Sequence, residues 1–299
     1  MHFDTALTSL RATRISVGLR PMLDGVRGLR AALRVVSVHR AVVNLALGDG
    51  RLVAIASEAV GGLPNGIVVG DAPDFTRLGI QAGNPARWAA GRLSIPAASL
   101  VVGTDSAADW SPRIARREVT GWPLRSERAR ILACEARVPG GLLDLSVSWP
   151  ALWALDAAIR DGDRAAAAGA ARGLIGLGPG LTPAGDDALA GIESALHAAS
   201  HPAAGFLEMV LGDVETRTTA VSVALLRHVA RGEVAERVHR LLDGLLATDP
   251  ARLAPAIEIA VRLGATSGSD LLVGVLLGLD AATGVAAAPA PDLIARVAA

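Results

Sequence analysis

The sequence contains no lysine and no tyrosine, so all 29 of its basic side chains are arginines. Without lysine the chain cannot form a Schiff base, attach pyridoxal phosphate or provide the lysine of a P-loop. A glycine-rich loop in this sequence therefore cannot be a nucleoside-triphosphate cradle of that type. Any fixed positive charge in a site must be a guanidinium group, which suits two-point contact with a carboxylate or phosphate.

The chain has a single cysteine, Cys134, and no net charge, since 29 acidic residues balance its 29 arginines. A single cysteine excludes an internal disulfide and a metal site made of several cysteines. The apolar run 131–133 precedes Cys134, which favours a small core residue over a nucleophile. The balanced charge argues against nucleic acid as the main partner, because binding to a phosphate backbone requires an excess of basic side chains.

Long apolar runs are missing as well. The longest, at residues 271–279, is bracketed by Asp270 and Asp280 and is too short to span a membrane. Charged residues interrupt the N-terminal segment, which is therefore unlike a signal peptide. We expect a soluble, cytoplasmic protein with neither a membrane nor a nucleic acid as partner.

The pattern of apolar residues divides the chain into two parts. With 299 residues, 51% of them hydrophobic, the chain is long enough for two domains. Segments over residues 33–138 are β-branched and partly alternating, whereas the sequence after residue 150 is rich in alanine and leucine at helical spacing. We therefore predict an α+β fold with a mainly β domain over residues 1–145 and an all-helical domain of about eight helices over residues 146–299. The Ala- and Pro-rich stretch 286–291 is expected to be a poorly packed tail.

The individual elements follow from turn and cap residues. Gly48–Gly50 is predicted to be the turn of a hairpin between strands at 35–47 and 52–56. His39 and Asn44 lie on the first strand at an odd separation, so they should point to opposite faces. Further strands are predicted at 67–69, 100–102 and 131–136, and helices at 151–160, 164–175, 183–200, 205–212, 214–231, 234–246, 251–263 and 269–282.

The most informative stretch is residues 176–191, which read G-L-G-P-G-L-T-P-A-G-D-D-A-L-A-G. Gly178 and Gly180 disfavour a helix, whereas Thr182 followed by Pro183 predicts a helix start with a hydroxyl N-cap and proline at the first helical position. A glycine loop that runs into a helix N-terminus offers free N–H groups and the positive end of the helix dipole. Such a junction suits a phosphate or a carboxylate.

This construction occurs twice in the chain. The pattern Gly-x-Asp-x-Leu-x-Gly is present at 185–191 and again at 268–274, an offset of 83 residues (268 minus 185). Thr266 and Ser267 supply hydroxyls before the second helix. Two helix starts of one design predict one shared site, and the alternative is two ordinary capped helices whose glycines allow close packing.

An anion at these helix starts would need further support. Each N-terminus contributes roughly 0.5–2 kcal/mol, against the ~8 kcal/mol that micromolar binding requires. Arg172 and Arg217 are the candidate arginines, and a solvated surface position is the alternative for each. Thr218 and Ser222 lie four residues apart on one face of a predicted helix, where they either line a pocket or bond to the preceding turn.

Three carboxylates, those of Asp186, Asp187 and Asp270, fall in the first turns of the two helices. Acidic residues stabilise a helix start by themselves, but such a set could also hold Mg²⁺, the one cofactor that the sequence suggests. His197 and His201 are spaced for a metal pair at a helix end, yet the chain has no H-E-x-x-H motif and no G-x-S-x-G motif.

The run from Gly176 to Gly191 resembles the signature of the AllH-type family, which is associated with the oxamate carbamoyltransferase of anaerobic allantoin breakdown, a purine degradation route. The resemblance extends to residues 38–44, 218–232 and 265–272 and so covers about residues 33–282. It implies a subunit that acts with two other proteins on small anions, converting oxalurate and phosphate into oxamate and carbamoyl phosphate.

We therefore expect Asp186, Asp187 and Asp270 to be catalytic residues or metal ligands. The expected ligand-binding residues are Gly178, Gly180, Thr182, Gly185, Thr266, Ser267, Gly268, Arg217 and Ser222. Two other functions stay open at this point, namely an Mg²⁺-dependent hydrolase that uses the three aspartates and a non-catalytic anion-binding or assembly subunit.

Overall fold

The computed structural model of the chain describes residues 7–25 and 32–285, and the tail predicted at 286–291 lies outside these ranges. The chain divides into two units. The first runs to Pro112 and includes Ala235–Arg237, and the second comprises Arg113–Val234 and the chain from Val238 onwards. No helix in the described ranges has both the length and the apolar character that a membrane span requires.

The first unit contains a nine-stranded sheet that closes on itself. Its strands are β1 (Thr8–Ser16), β2 (Leu33–Val38), β3 (Val42–Leu47), β4 (Leu52–Ser57), β5 (Gly66–Val69), β6 (Pro85–Ala89), β7 (Arg92–Ile95), β8 (Leu100–Gly103) and β9 (Ala108–Trp110), and helix α1 (Leu19–Gly25) follows β1. The strand order is β5-β4-β3-β2-β6-β7-β8-β1-β9, and β5 also pairs with β1. Closure gives the backbone groups at both edges of the eight-stranded ring a hydrogen-bonding partner. Apolar side chains of the ring, such as those of Val43, Ile55 and Leu93, are completely buried.

The hairpin predicted around Gly48–Gly50 is confirmed, because β3 and β4 pair antiparallel on either side of it. The single strand expected over 35–47 is instead two strands, since the chain turns after Val38 and β2 pairs with β3. His39 therefore lies in a turn rather than on a strand. Its ring and the Asn44 amide both reach the Ser37 hydroxyl, at 3.2 and 3.0 Å, so the two side chains meet instead of pointing to opposite faces.

The second unit is helical, which confirms the predicted α+β fold. Its described residues contain nine α-helices, one more than the eight predicted. They are α2 (Ser126–Ala136), α3 (Trp149–Arg160), α4 (Arg164–Ala171), α5 (Ala184–Ala199), α6 (Leu211–Val214), α7 (Ala220–Ala230), α8 (Glu236–Leu245), α9 (Leu253–Val261) and α10 (Ser267–Thr283).

Three local predictions in this unit are wrong. Residues 131–136, predicted to be a strand, belong to helix α2, because a short apolar run has the same appearance in a buried strand and in a helix. The helix expected over 205–212 is a 3-10 helix, Phe206–Val210, followed by the short α6. The helix expected over 214–231 is interrupted, and α7 begins only at Ala220.

Helices α5 and α10 form the centre of the second unit and pack backbone to backbone. A Cβ atom on Gly191 would overlap the carbonyl oxygen of Leu271, and one on Gly274 would overlap that of Ala188. These contacts are equivalent under the 83-residue offset, since 188 and 191 correspond to 271 and 274. Before the helices Thr182 contacts Ser267, and further along Gly278 of α10 packs against Ile192 and Ala195 of α5. Contacts therefore advance in the same direction along both helices, so the helices are parallel and both N-termini lie at one end of the pair.

Candidate functional site

The two glycine loops meet at the shared end of α5 and α10. The Thr182 hydroxyl lies 2.9 Å from the Ser267 hydroxyl, and both side chains are only partly buried. Gly178 and Gly180 have φ values of 107° and 101°, a backbone conformation that residues with a side chain rarely adopt. The tip of the first loop, 179–181, is exposed, so the place where the loops join is open to solvent.

The helix starts differ from the predicted ones in their caps. Helix α5 begins at Ala184 with Pro183 as the N-cap, so Thr182 is not the cap and its hydroxyl is directed to the second loop instead. Thr266 is the N-cap residue of α10, as expected, although its side chain makes no capping hydrogen bond within the described residues. Ser267 is the first residue of α10.

A third helix start joins the first loop. Thr219 is the N-cap of α7, where its hydroxyl accepts a hydrogen bond from the Ser222 amide at 3.1 Å and donates one to the Leu181 carbonyl. The neighbouring Thr218 hydroxyl donates to the Asp186 carboxylate. The Thr218 and Thr219 hydroxyls therefore lie at the start of α7 and attach it to the first glycine loop.

Asp186 holds the glycine loop in place. One of its carboxylate oxygens accepts the Gly176 amide at 2.9 Å, and the other accepts the Thr218 hydroxyl. The side chain is completely buried. Because both oxygens already have partners, Asp186 supports the loop and is poorly placed to bind a ligand directly.

Asp187 lies under the junction of the two loops and is 5% exposed. Burial raises the pKa of this carboxyl group to about 7, while hydrogen bonds with the Ser267 and Thr182 hydroxyls oppose the rise and the charges of Asp270 and Asp186 add to it. Its Oδ2 atom has no hydrogen-bond partner among the described residues. A buried carboxyl group with such a pKa can both give and take a proton near neutral pH.

Asp270 is the equivalent residue of the second loop and is 2% exposed. Its Oδ1 atom accepts the Leu142 amide at 2.7 Å, whereas Oδ2 lacks a hydrogen-bond partner in the part of the chain that the structure describes. Burial raises the pKa of Asp270, and the Leu142 amide and the Thr266 hydroxyl act in the opposite direction.

The 137–144 segment covers the start of α10 and was not predicted to take part in the site. The Val138 amide donates to the Ser269 hydroxyl at 3.1 Å, and Gly141 lies so close to Asp270 that a Cβ atom would overlap its carboxylate. The segment is fixed by an ion pair of 2.7 Å between Arg137 and Asp144. The sequence Pro139-Gly140-Gly141 predicts a turn but carries no signal that it contacts α10.

The charge of Arg137 also acts on the second loop, since it is one of the smaller influences that lower the pKa of Asp270. The sequence suggested Arg172 and Arg217 instead. Both of these side chains are exposed, and the part of Arg217 that contacts the first loop is its carbonyl group, which lies against Gly176.

Gly185 and Gly268 pack against the protein's own backbone. A Cβ atom on Gly185 would overlap the Leu174 carbonyl, and one on Gly268 would overlap the Ala260 carbonyl. Their amides donate to the carbonyl oxygens of Leu177 and Leu263, in each case at 2.9 Å. The structure thus gives these glycines matching packing roles, and their N–H groups are already used.

Three further candidates from the sequence, Ser222, His197 and His201, make no contact that links them to a ligand or metal site among the described residues. Ser222 is completely buried, and its hydroxyl has no hydrogen-bond partner within the described ranges. His197 lies 3.0 Å from the buried Glu193, so it forms a pair within α5 rather than with His201. Across residues 7–25 and 32–285, no group of three or more His, Cys, Asp or Glu side chains is arranged to hold a metal ion.

Two family models match the chain. A model described as oxamate carbamoyltransferase subunit AllH matches residues 174–279, and one described as the AllH family N-terminal domain matches residues 12–109. The first range contains both glycine loops and all three aspartates. The two ranges together make up more than half of the chain, and no solved structure matches it.

Proposed function

The chain belongs to the AllH family, and we propose that it serves as a subunit of a carbamoyltransferase that binds its small anionic substrate where the two glycine loops meet. The reaction is the exchange of a carbamoyl group between oxamate and phosphate. Partner subunits complete the enzyme, and no nucleic acid or membrane takes part.

The reaction needs one proton transfer. In the direction of oxalurate cleavage, a phosphate oxygen forms a bond to the terminal carbamoyl carbon of oxalurate. The bond from that carbon to the oxamate nitrogen breaks, and the nitrogen takes up a proton as the phosphate gives one up. The products are carbamoyl phosphate and oxamate, and no oxidant or reductant is required.

The observation that carries this proposal is the hydroxyl contact of 2.9 Å between Thr182 and Ser267, which joins two helix N-termini over the buried Asp187. Two parallel helices direct the positive ends of their dipoles to this place, and a hydroxyl group there that leaves its present partner can donate a hydrogen bond to an oxyanion. These features favour a small anion beside a proton-transferring group.

Asp187 is the group that we assign to the proton transfer. With its pKa raised to about 7, the carboxyl group delivers a proton to the departing oxamate nitrogen and receives one from the attacking phosphate. Asp186 and Asp270 act as positioning residues in this scheme. Asp186 accepts a hydrogen bond from the Gly176 amide, and Asp270 accepts one from the Leu142 amide.

The test is an assay of oxamate release from oxalurate and phosphate by the chain reconstituted with its partner subunits. General acid–base catalysis contributes roughly 10²–10⁴-fold, so Asp187→Ala should lower the rate at least about 100-fold. Asp163→Ala is the control, since Asp163 only caps α4. Full activity of Asp187→Ala, or no phosphate-dependent release by the wild-type complex, would overturn the proposal.

A further inference from the structure

Two unpaired carboxylate oxygens lie at the junction of the loops. Asp187 Oδ2 and Asp270 Oδ2 are buried and make no hydrogen bond to any residue that the structure describes. Buried polar atoms are almost always hydrogen-bonded, and leaving one unpaired is unfavourable. The two atoms belong to equivalent positions of the 83-residue repeat on parallel helices, whose starts are joined by the Thr182–Ser267 contact of 2.9 Å, so the two carboxyl groups lie at the same end of the helix pair.

In their ionised form the two carboxylates are acceptors only, so a ligand that pairs with both oxygens has to supply hydrogen-bond donors. Phosphate and carboxylate oxygens are acceptors, so a bare oxyanion would face the two oxygens without pairing them. A cationic donor is disfavoured, because α5 and α10 direct the positive ends of their dipoles to the same place. A neutral amide group meets both conditions, since it offers two N–H donors without a positive charge.

We propose that Asp187 and Asp270 recognise the –NH₂ of a carbamoyl group through N–H···Oδ2 hydrogen bonds, while the anionic end of the ligand lies toward the Thr182 and Ser267 hydroxyls. This inference rests on the proposed function and adds a specificity rule to it. The site selects primary amides and ureido compounds and discriminates against anions of the same shape that lack N–H donors.

Carbamoyl phosphate and acetyl phosphate form the matched pair that tests this rule. They differ only in –NH₂ against –CH₃, so calorimetric titration of the wild-type chain with each measures the contribution of the donors. Leaving a buried acceptor unpaired lowers affinity by about tenfold or more, so carbamoyl phosphate should bind at least roughly tenfold more tightly. Equal affinities would overturn the inference and leave the carbamoyltransferase proposal standing.

Asp270→Asn is the sharpest variant, because the Leu142 amide must keep an oxygen at the Oδ1 position. The asparagine nitrogen then occupies the Oδ2 position and replaces an acceptor with a donor. We expect the ratio of the two affinities to fall toward one in this variant. Asp280→Asn is the matched control, since Asp280 is a buried residue of the same helix that bonds to Trp122 and should leave the ratio unchanged.

Two further results would count against the inference. A ratio in Asp270→Asn that equals the wild-type ratio, with the variant folded by its thermal transition, would contradict the role of Asp270. Failure of the wild-type chain to bind either phosphate compound would overturn both the inference and the anion site on which it rests.

Discussion

At the scale of single residues, Asp187 has the clearest physical consequence. Its pKa is raised on folding, so the group favours the folded state below its unfolded pKa of roughly 3.9. This contribution is lost as the pH rises through the folded value of about 7. The site therefore holds a carboxyl group whose ionisation destabilises the protein, which is a common property of functional positions.

Replacement of this carboxyl group tests the assignment. Asp187→Asn keeps the shape but cannot ionise, so its free energy of unfolding should exceed that of the wild type by on the order of 3 kcal/mol at pH about 8, and by much less at pH about 4. Urea denaturation at the two pH values measures the difference. Asp163→Asn is the control, because Asp163 lies at the surface of α4. A stability gain that does not change with pH would contradict the raised pKa.

Single residues also show the limits of sequence reasoning. The sequence drew attention to Thr218 and Ser222, but the contacts of the Thr218 and Thr219 hydroxyls with Asp186 and Leu181 depend on where α7 begins. Threonine is a preferred N-cap residue, so Thr219 could have been used to locate the break in the predicted helix. Arg137 could not be chosen from 29 arginines, because its position depends on tertiary contacts.

At the scale of elements, the parallel pair α5 and α10 sets the geometry of the site. Its close approach depends on Gly191 and Gly274, since a Cβ atom on either would overlap a carbonyl oxygen of the other helix. Repeated glycines at an offset of 83 residues were enough to predict that the two loops converge. They were not enough to show that Gly185 and Gly268 serve packing, because the carbonyl groups that they contact carry no sequence signal.

Alanine substitutions test this packing. Gly191→Ala and Gly274→Ala should each lower the free energy of unfolding by about 2 kcal/mol or more, since the helices must move apart. Gly169→Ala is the matched control, because a Cβ atom there meets nothing within 4 Å, and it should stabilise α4 by about 0.5–1 kcal/mol. Chemical denaturation measures all three, and unchanged stability of Gly274→Ala would exclude the close contact of α5 with α10.

At the scale of the whole molecule, hydrophobic patterning was sufficient for the α+β fold and for the order of its two parts. It could not give the closure of the sheet, because the pairing of β1 with β5 joins segments that no local pattern connects. The contact of Leu142 with Asp270 is of the same kind, since the residues are 128 positions apart. The repeat was enough to predict that the two glycine loops lie close together. It could not predict that the 137–144 segment packs against the start of α10.

The measurement that most directly tests the central claim is calorimetric titration of the purified chain with carbamoyl phosphate, compared among the wild type, Thr182→Val and Ser267→Ala. If both loops form one site, each variant should bind about fivefold more weakly, the effect of losing one hydrogen bond of about 1 kcal/mol. The double variant should lose less than the sum of the two, because the hydroxyls contact each other. Wild-type affinity in both single variants would contradict a shared anion site at the junction of the two loops.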